Sequence, residues 1–141
     1  MRATLLLAAL SVSSCAKVVD AEKASGKVTV EGWKRPWSLD VAHCRPVRVN
    51  GRPGIILYGN EEAPSAQRLT VAEGEPPEVE VAFASEGEIL TAQTCSAYEV
   101  DVHETGKAYN DTDLVSGRLK IDCVSAGRAR ITAEATFADC Y

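Results

Sequence analysis

The residues with the most chemistry to offer are five cysteines, at positions 15, 44, 95, 123 and 140. No two have Cys-x-x-Cys spacing, so neither a thioredoxin-like dithiol nor a zinc ribbon has the ligands it needs. With Cys15 set aside, four cysteines remain in a chain the length of one domain. An even number in such a chain reads as two disulfides formed in an oxidising compartment, where a cytosolic protein would keep its thiols reduced.

Other reactive groupings are sparse. The two histidines, His43 and His103, stand in strand-end or charged contexts that suit exposed edge positions. No Gly-x-Ser-x-Gly elbow supports a serine nucleophile, and no glycine-rich loop could cradle a phosphate. Asn110-Asp111-Thr112-Asp113 offers hard oxygen ligands of the kind calcium takes. It lacks the glycine and bidentate glutamate of an EF-hand loop, so a solvated turn is the expectation. The same residues spell a glycosylation sequon, to which little weight attaches. The expectation is a non-enzymatic protein with no catalytic residues, no metal site and no cofactor.

Cys15 has a separate explanation in the residues before it. Arg2 is the only charge in residues 1–14; an apolar stretch over residues 3–10 and then small residues follow, which is the anatomy of a secretory signal. The stretch is well short of the ~20 residues that span a bilayer. Val12-Ser13-Ser14-Cys15 resembles a bacterial lipobox, with Val12 where leucine is usual and Ser14 where glycine or alanine is usual. The resemblance implies cleavage before Cys15 and attachment of diacylglycerol and acyl chains such as palmitate to it. Ser14-Cys15-Ala16 also satisfies the small-x-small rule of ordinary signal peptidase, which would cut after Ala16 and release a periplasmic or secreted protein. An uncleaved apolar N-terminus is the third reading. Ala16, not being aspartate, favours the outer membrane if the host is Gram-negative.

The elements that must carry these residues read as β throughout. Val28 and Val30, Leu39 and Val41, Val79, Val81 and Phe83, Tyr98, Val100 and Val102, and Ile131, Ala133, Ala135 and Phe137 each alternate with polar or small neighbours. That period of two describes strands with one face buried and one in water. Asn50-Gly51, residues 73–77, Ser85-Glu86-Gly87, Thr105-Gly106 and Ser125-Ala126-Gly127 are the turn signals between them. The fold class is therefore all-β, a small antiparallel β-sandwich or open barrel with two disulfides. Residues 1–14 form the signal, 15–26 a lipidated tether and 27–141 a single domain. Such a tether reaches about 30 Å at roughly 3.3 Å per residue.

The strand ends limit the disulfide pairing. If residues 117–123 and 128–137 form a hairpin, Cys123 lies at its turn and Cys140 roughly 30 Å away. A disulfide needs α-carbons within about 7 Å, so those two cannot pair. A strand at 97–103 running antiparallel to 117–123 brings Cys95 to the end where Cys123 lies, leaving Cys44 for Cys140. Cys95 and Cys123 differ in phase, which requires Cys95 to sit just outside its strand.

Charge is unevenly placed. Once Arg2 leaves with the signal, fourteen basic and twenty acidic residues give a net charge of −6, which argues against nucleic acid as a partner. Residues 33–52 hold Lys34, Arg35, Arg45, Arg48 and Arg52 against Asp40, a balance of +4, while residues 61–104 hold eleven acids against Arg68, a balance of −10. Trp33 and Trp37, the two tryptophans, bracket Lys34-Arg35-Pro36. Tryptophan beside cations is a platform for an envelope protein, an anionic glycan or lipid headgroups. The competing expectation is that the tryptophans plug one end of the sandwich while basic and acidic strands pair across a sheet.

The whole layout (lipobox, tether, β-domain, one cysteine early and one at the extreme C-terminus) also resembles the mycobacterial 19-kDa lipoprotein antigens, with "EGEPPEVEVAF" the nearest shared phrase. That resemblance implies a cell-envelope surface protein anchored in the bilayer through acylated Cys15. It implies no catalytic activity. A binding or accessory module working through residues 33–52 is the first functional expectation. A structural surface antigen with no small ligand is the alternative, and a metal-dependent or enzymatic protein, which would need a cleft gathering His43, His103 and several acids, ranks third.

Overall fold

A computed structural model describes residues 23–32, 36–60 and 67–141. The signal, Cys15, most of the tether, and Trp33, Lys34 and Arg35 lie outside the described residues. Ten strands follow one another: β1 (Ala24–Glu31), β2 (Trp37–Val41), β3 (His43–Val49), β4 (Arg52–Tyr58), β5 (Gln67–Ala72), β6 (Glu78–Phe83), β7 (Glu86–Leu90), β8 (Cys95–Tyr109), β9 (Thr112–Val124) and β10 (Arg130–Cys140). They form two antiparallel sheets, in the order β2-β1-β10-β9-β8 and β3-β4-β5-β6-β7. The fold is a β-sandwich, the first of the two expected architectures.

The inward face of each strand carries its apolar set. Val28, Val30, Leu39, Leu119, Ile121, Ile131 and Phe137 of the first sheet meet Ile55, Leu57, Leu69, Val71, Val79 and Val81 of the second, all 6% exposed or less. Burying each such side chain contributes about 1.5–3 kcal/mol.

The sheets lie crosswise. β3 crosses the end of the first sheet where β10 finishes, since Cys44 is bonded to Cys140 and Arg48 reaches Glu104. Six residues back along β8, the Tyr98 hydroxyl donates to the Pro77 carbonyl just before β6. At the far end Glu88 of β7 is so close to Gly127 that a Cβ there would stand 2.9 Å from Glu88 Oε1. Stepping through the second sheet thus means travelling along the strands of the first, the orthogonal mode of sheet packing. Burial, with the Glu78 charge second, raises the Tyr98 phenol above its ordinary pKa and keeps it a protonated donor.

Residues 24–26, expected to lie ahead of the domain, are part of its first sheet. β1 opens at Ala24, which is 2% exposed, so residues 24–26 belong to the sheet. Gly26 makes this possible: its φ is +137°, and a Cβ there would lie 2.2 Å from the Glu134 carbonyl of β10. Small residues read as linker are here the condition for close strand approach.

Thr105-Gly106 is likewise not a chain reversal. The β8–β9 register shifts between Glu104 and Ala108 and then resumes, with Ala108 opposite Asp113 and Tyr109 opposite Thr112. Residues 105–107 form an irregularity inside β8. The chain turns at Asn110 and Asp111, both in the left-handed region at φ 47° and 60°, as a two-residue hairpin turn demands. Both disulfide bonds occur within these ladders or between them, Cys95–Cys123 joining β8 to β9 and Cys44–Cys140 joining the two sheets.

Candidate functional site

The basic stretch folds as the end of β2 nearest Trp37 and the β3–β4 hairpin. Asn50 and Gly51 close that hairpin with φ of 51° and 78°, which sets Val49 opposite Arg52 and Arg48 opposite Pro53. Arg48 and Arg52 therefore end up at one tip, with Arg45 further along β3 opposite Ile56.

Two of these cations meet acids from residues 61–104. Arg48 Nη2 lies 3.8 Å from Glu104 Oε1, and its Nη1 donates to the Gly51 carbonyl at 3.4 Å. Arg52 Nη2 lies 3.6 Å from Glu78 Oε2, and its Nη1 donates to the Glu73 carbonyl at 3.2 Å. Such exposed pairs contribute about 0–1 kcal/mol each, but they occupy the charges. Arg45 is exposed and, among the described residues, has no carboxylate within ion-pair distance. Trp37 pairs with Val30 across the β1–β2 ladder and is partly buried against the core. Its ring belongs to the packing of the sandwich more than to an open platform.

Between the β3–β4 hairpin and the β8–β9 hairpin lies a cleft of about 290 Å³. Pro46, Arg48 and Gly54 line one side; Glu104, Asp111 and Asp113 line the other. Asp111, Thr112 and Asp113, three of the four residues at 110–113, thus wall a cleft as well as forming a turn. Among the described residues, no group of three or more His, Cys, Asp or Glu gathers to hold a metal ion.

The histidines stand in different sheets. His43 Nε2 lies 3.0 Å from Asn60 Oδ1, with its ring 5.4 Å from that of Tyr58. His103 Nδ1 lies 3.5 Å from Asp101 Oδ2, an ion pair only when the imidazole is protonated. Both are exposed, and among the described residues their side-chain polar partners are Asn60 and Asp101.

The outer face of the first sheet explains much of the remaining charge. Asp40 faces Lys27, Lys27 faces Glu134, Glu134 faces Lys120 and Lys120 faces Glu99, a row of alternating sign across all five strands. Near the β9–β10 turn, Arg130 grips Asp122 with two bonds, Nη2 to Oδ2 at 3.0 Å and Nε to Oδ1 at 3.3 Å. That hydrogen bonding, then the charge, holds the Asp122 carboxyl below the usual range. Such cross-strand rows stabilise a solvated sheet face and need no ligand. The sequence shows these charges but not the register that sets each opposite its partner, and Lys27 and Glu134 come from strands far apart in the chain.

No protein-family model, curated protein or solved structure matches the chain. The reading of its role therefore rests on its own residues.

Proposed function

We propose that this protein is a non-catalytic module of a bacterial cell envelope, exported and held to a membrane by lipid on Cys15. The observation that carries the reading is the use of the cysteines. Cys44, Cys95, Cys123 and Cys140 are all consumed in two disulfides, and the fifth cysteine of the sequence, Cys15, is the fourth residue of the lipobox-like stretch. Disulfides require an oxidising compartment, and a lipid thioether accounts for the fifth sulfur.

The module acts by binding. Its recognition surface is drawn from the open cation Arg45 and from Trp33, Lys34 and Arg35 of the same basic stretch of sequence, and its partner is an envelope protein or an anionic surface polymer. Titration of an anionic envelope glycan into the protein tests this. Arg45→Ala and Arg35→Ala should each weaken binding several-fold, as loss of a charge-assisted contact does, with an unchanged unfolding midpoint. Arg48→Ala and Arg52→Ala should change it little. Equal affinity for all four variants and the parent would remove the site.

One observation favours the alternative, a surface antigen with no small ligand. Trp37 packs on the core, and Arg48 and Arg52 are neutralised within the domain, so three of the seven expected platform residues serve the fold.

A further inference from the structure

The end of the domain where the tether departs carries a feature that neither the core nor the basic stretch uses. The Lys23 carbonyl accepts the Ala138 N–H at 2.8 Å, which fixes the start of the domain beside the end of β10. The Lys23 ammonium lies 3.0 Å from the centre of the Tyr141 ring. Tyr141 in turn meets Tyr109 of the β8 arm, ring centres 4.6 Å apart and tilted by 40°. Both tyrosines remain half exposed, at 45% and 52%. Two large aromatic rings, one ending β8 and one following β10, thus converge, still wet, at the point of exit.

The length of the tether says what covers them. From Cys15 to Lys23 is eight residues, a reach of about 29 Å at most. β10 alone, at 11 residues, is about 36 Å long. A domain so tethered cannot turn its far end to the bilayer, so the Lys23–Tyr109–Tyr141 end is the one held near the headgroups. Tyrosine is suited to that layer, with an apolar ring and a hydroxyl that stays hydrated.

We propose that Tyr109 and Tyr141 seat on the lipid surface in which Cys15 is anchored, with Lys23 between ring and headgroup phosphate. The proposal rests on the lipoprotein reading above. The same end carries Lys107 but also Asp111, Asp113 and Asp139, so the surface it fits is one of zwitterionic headgroups; strongly anionic lipid would repel it. The contact orients the sandwich with the β9–β10 turn, at the other end of the first sheet, pointing away from the membrane.

The test is acetylation of tyrosine hydroxyls by N-acetylimidazole, read by peptide mass, on the acylated full-length protein in phosphatidylcholine vesicles. The Cys15→Ser mature chain in the same vesicles is the reference, and Tyr58 is the internal control. Tyr109 and Tyr141 should react roughly five-fold more slowly in the acylated protein, as shielding by headgroups predicts, with Tyr58 unchanged. Equal rates in a protein whose intact mass shows the lipid would overturn the seating and leave the anchor standing. An intact mass without lipid would overturn the anchor, and the seating with it. Protection in native membranes but not in the vesicles would assign the tyrosines to an envelope protein and overturn the lipid contact.

Discussion

Cys95 stands directly opposite Cys123 across the β8–β9 ladder, their α-carbons 3.9 Å apart. Ser96 is the extra residue that puts it there. The register moves from Cys95–Cys123 to Ala97–Asp122, so a bulge at Ser96 absorbs the mismatch of phase between the two cysteines. Bulges of this kind redirect a side chain without ending the strand.

The two bridges should differ in what they contribute. Cys44–Cys140 closes a loop of 96 residues and ties one sheet to the other, whereas Cys95–Cys123 spans 28 residues within one sheet. On chain-entropy grounds, Cys44→Ala with Cys140→Ala should cost about 4–5 kcal/mol and Cys95→Ala with Cys123→Ala about 3–4 kcal/mol. Urea unfolding of the two double variants measures the difference. A larger loss from the second pair would mean that the β8–β9 bridge holds more than its own ladder.

Gly26→Ala should be among the most damaging single substitutions. The new Cβ would meet the Glu134 carbonyl, and the backbone there has a positive φ that alanine resists. A cost of about 2–3 kcal/mol is expected from the forced separation of β1 and β10, seen as a lowered thermal midpoint. Gly51→Ala, also at positive φ but with nothing within 4 Å, supplies the comparison and should cost less.

Acid sensitivity should be traceable to Asp122. Arg130 lowers its carboxyl first by hydrogen bonding and then by charge. A carboxylate with a depressed folded pKa adds stability above its unfolded value, near 3.9, and that stability is lost as pH falls through the folded value. Asp122→Asn should therefore lower stability slightly at neutral pH and flatten the curve below about pH 4, so that variant and parent converge in acid. Curves that superimpose from neutral pH into acid would exclude the pair as a cause of the acid sensitivity.

Much of this architecture is legible in the residues because alternation is a local signal. Each of Val28, Leu39, Val79 and Ile131 sits in a period-two run and is buried, and the disulfide pairing followed from which strand ends coincide. What escaped notice were the interruptions to that period. Ser96, residues 105–107 and Asp139, with φ of 47° and its N–H donated to Ser116 Oγ at 2.8 Å, each insert a step that only the partner strand reveals. The Asp139 bulge is what turns Cys140 inward, since Phe137 faces Gly117 while Cys140 faces Val115. The candidate site was legible as a run of cations but not as their partners. Glu104 lies 56 positions from Arg48, and the ion pair between them depends on how the two sheets cross.

Whether this is an exported, disulfide-stapled domain with lipid on Cys15 can be decided by intact mass. Protein purified from native membranes should begin at Cys15, carry added acyl mass, and take up four thiol labels only after reduction, one for each sulfur of the two disulfides. A lipid-free chain beginning at Lys17, or an unprocessed chain whose cysteines label without reduction, would contradict it.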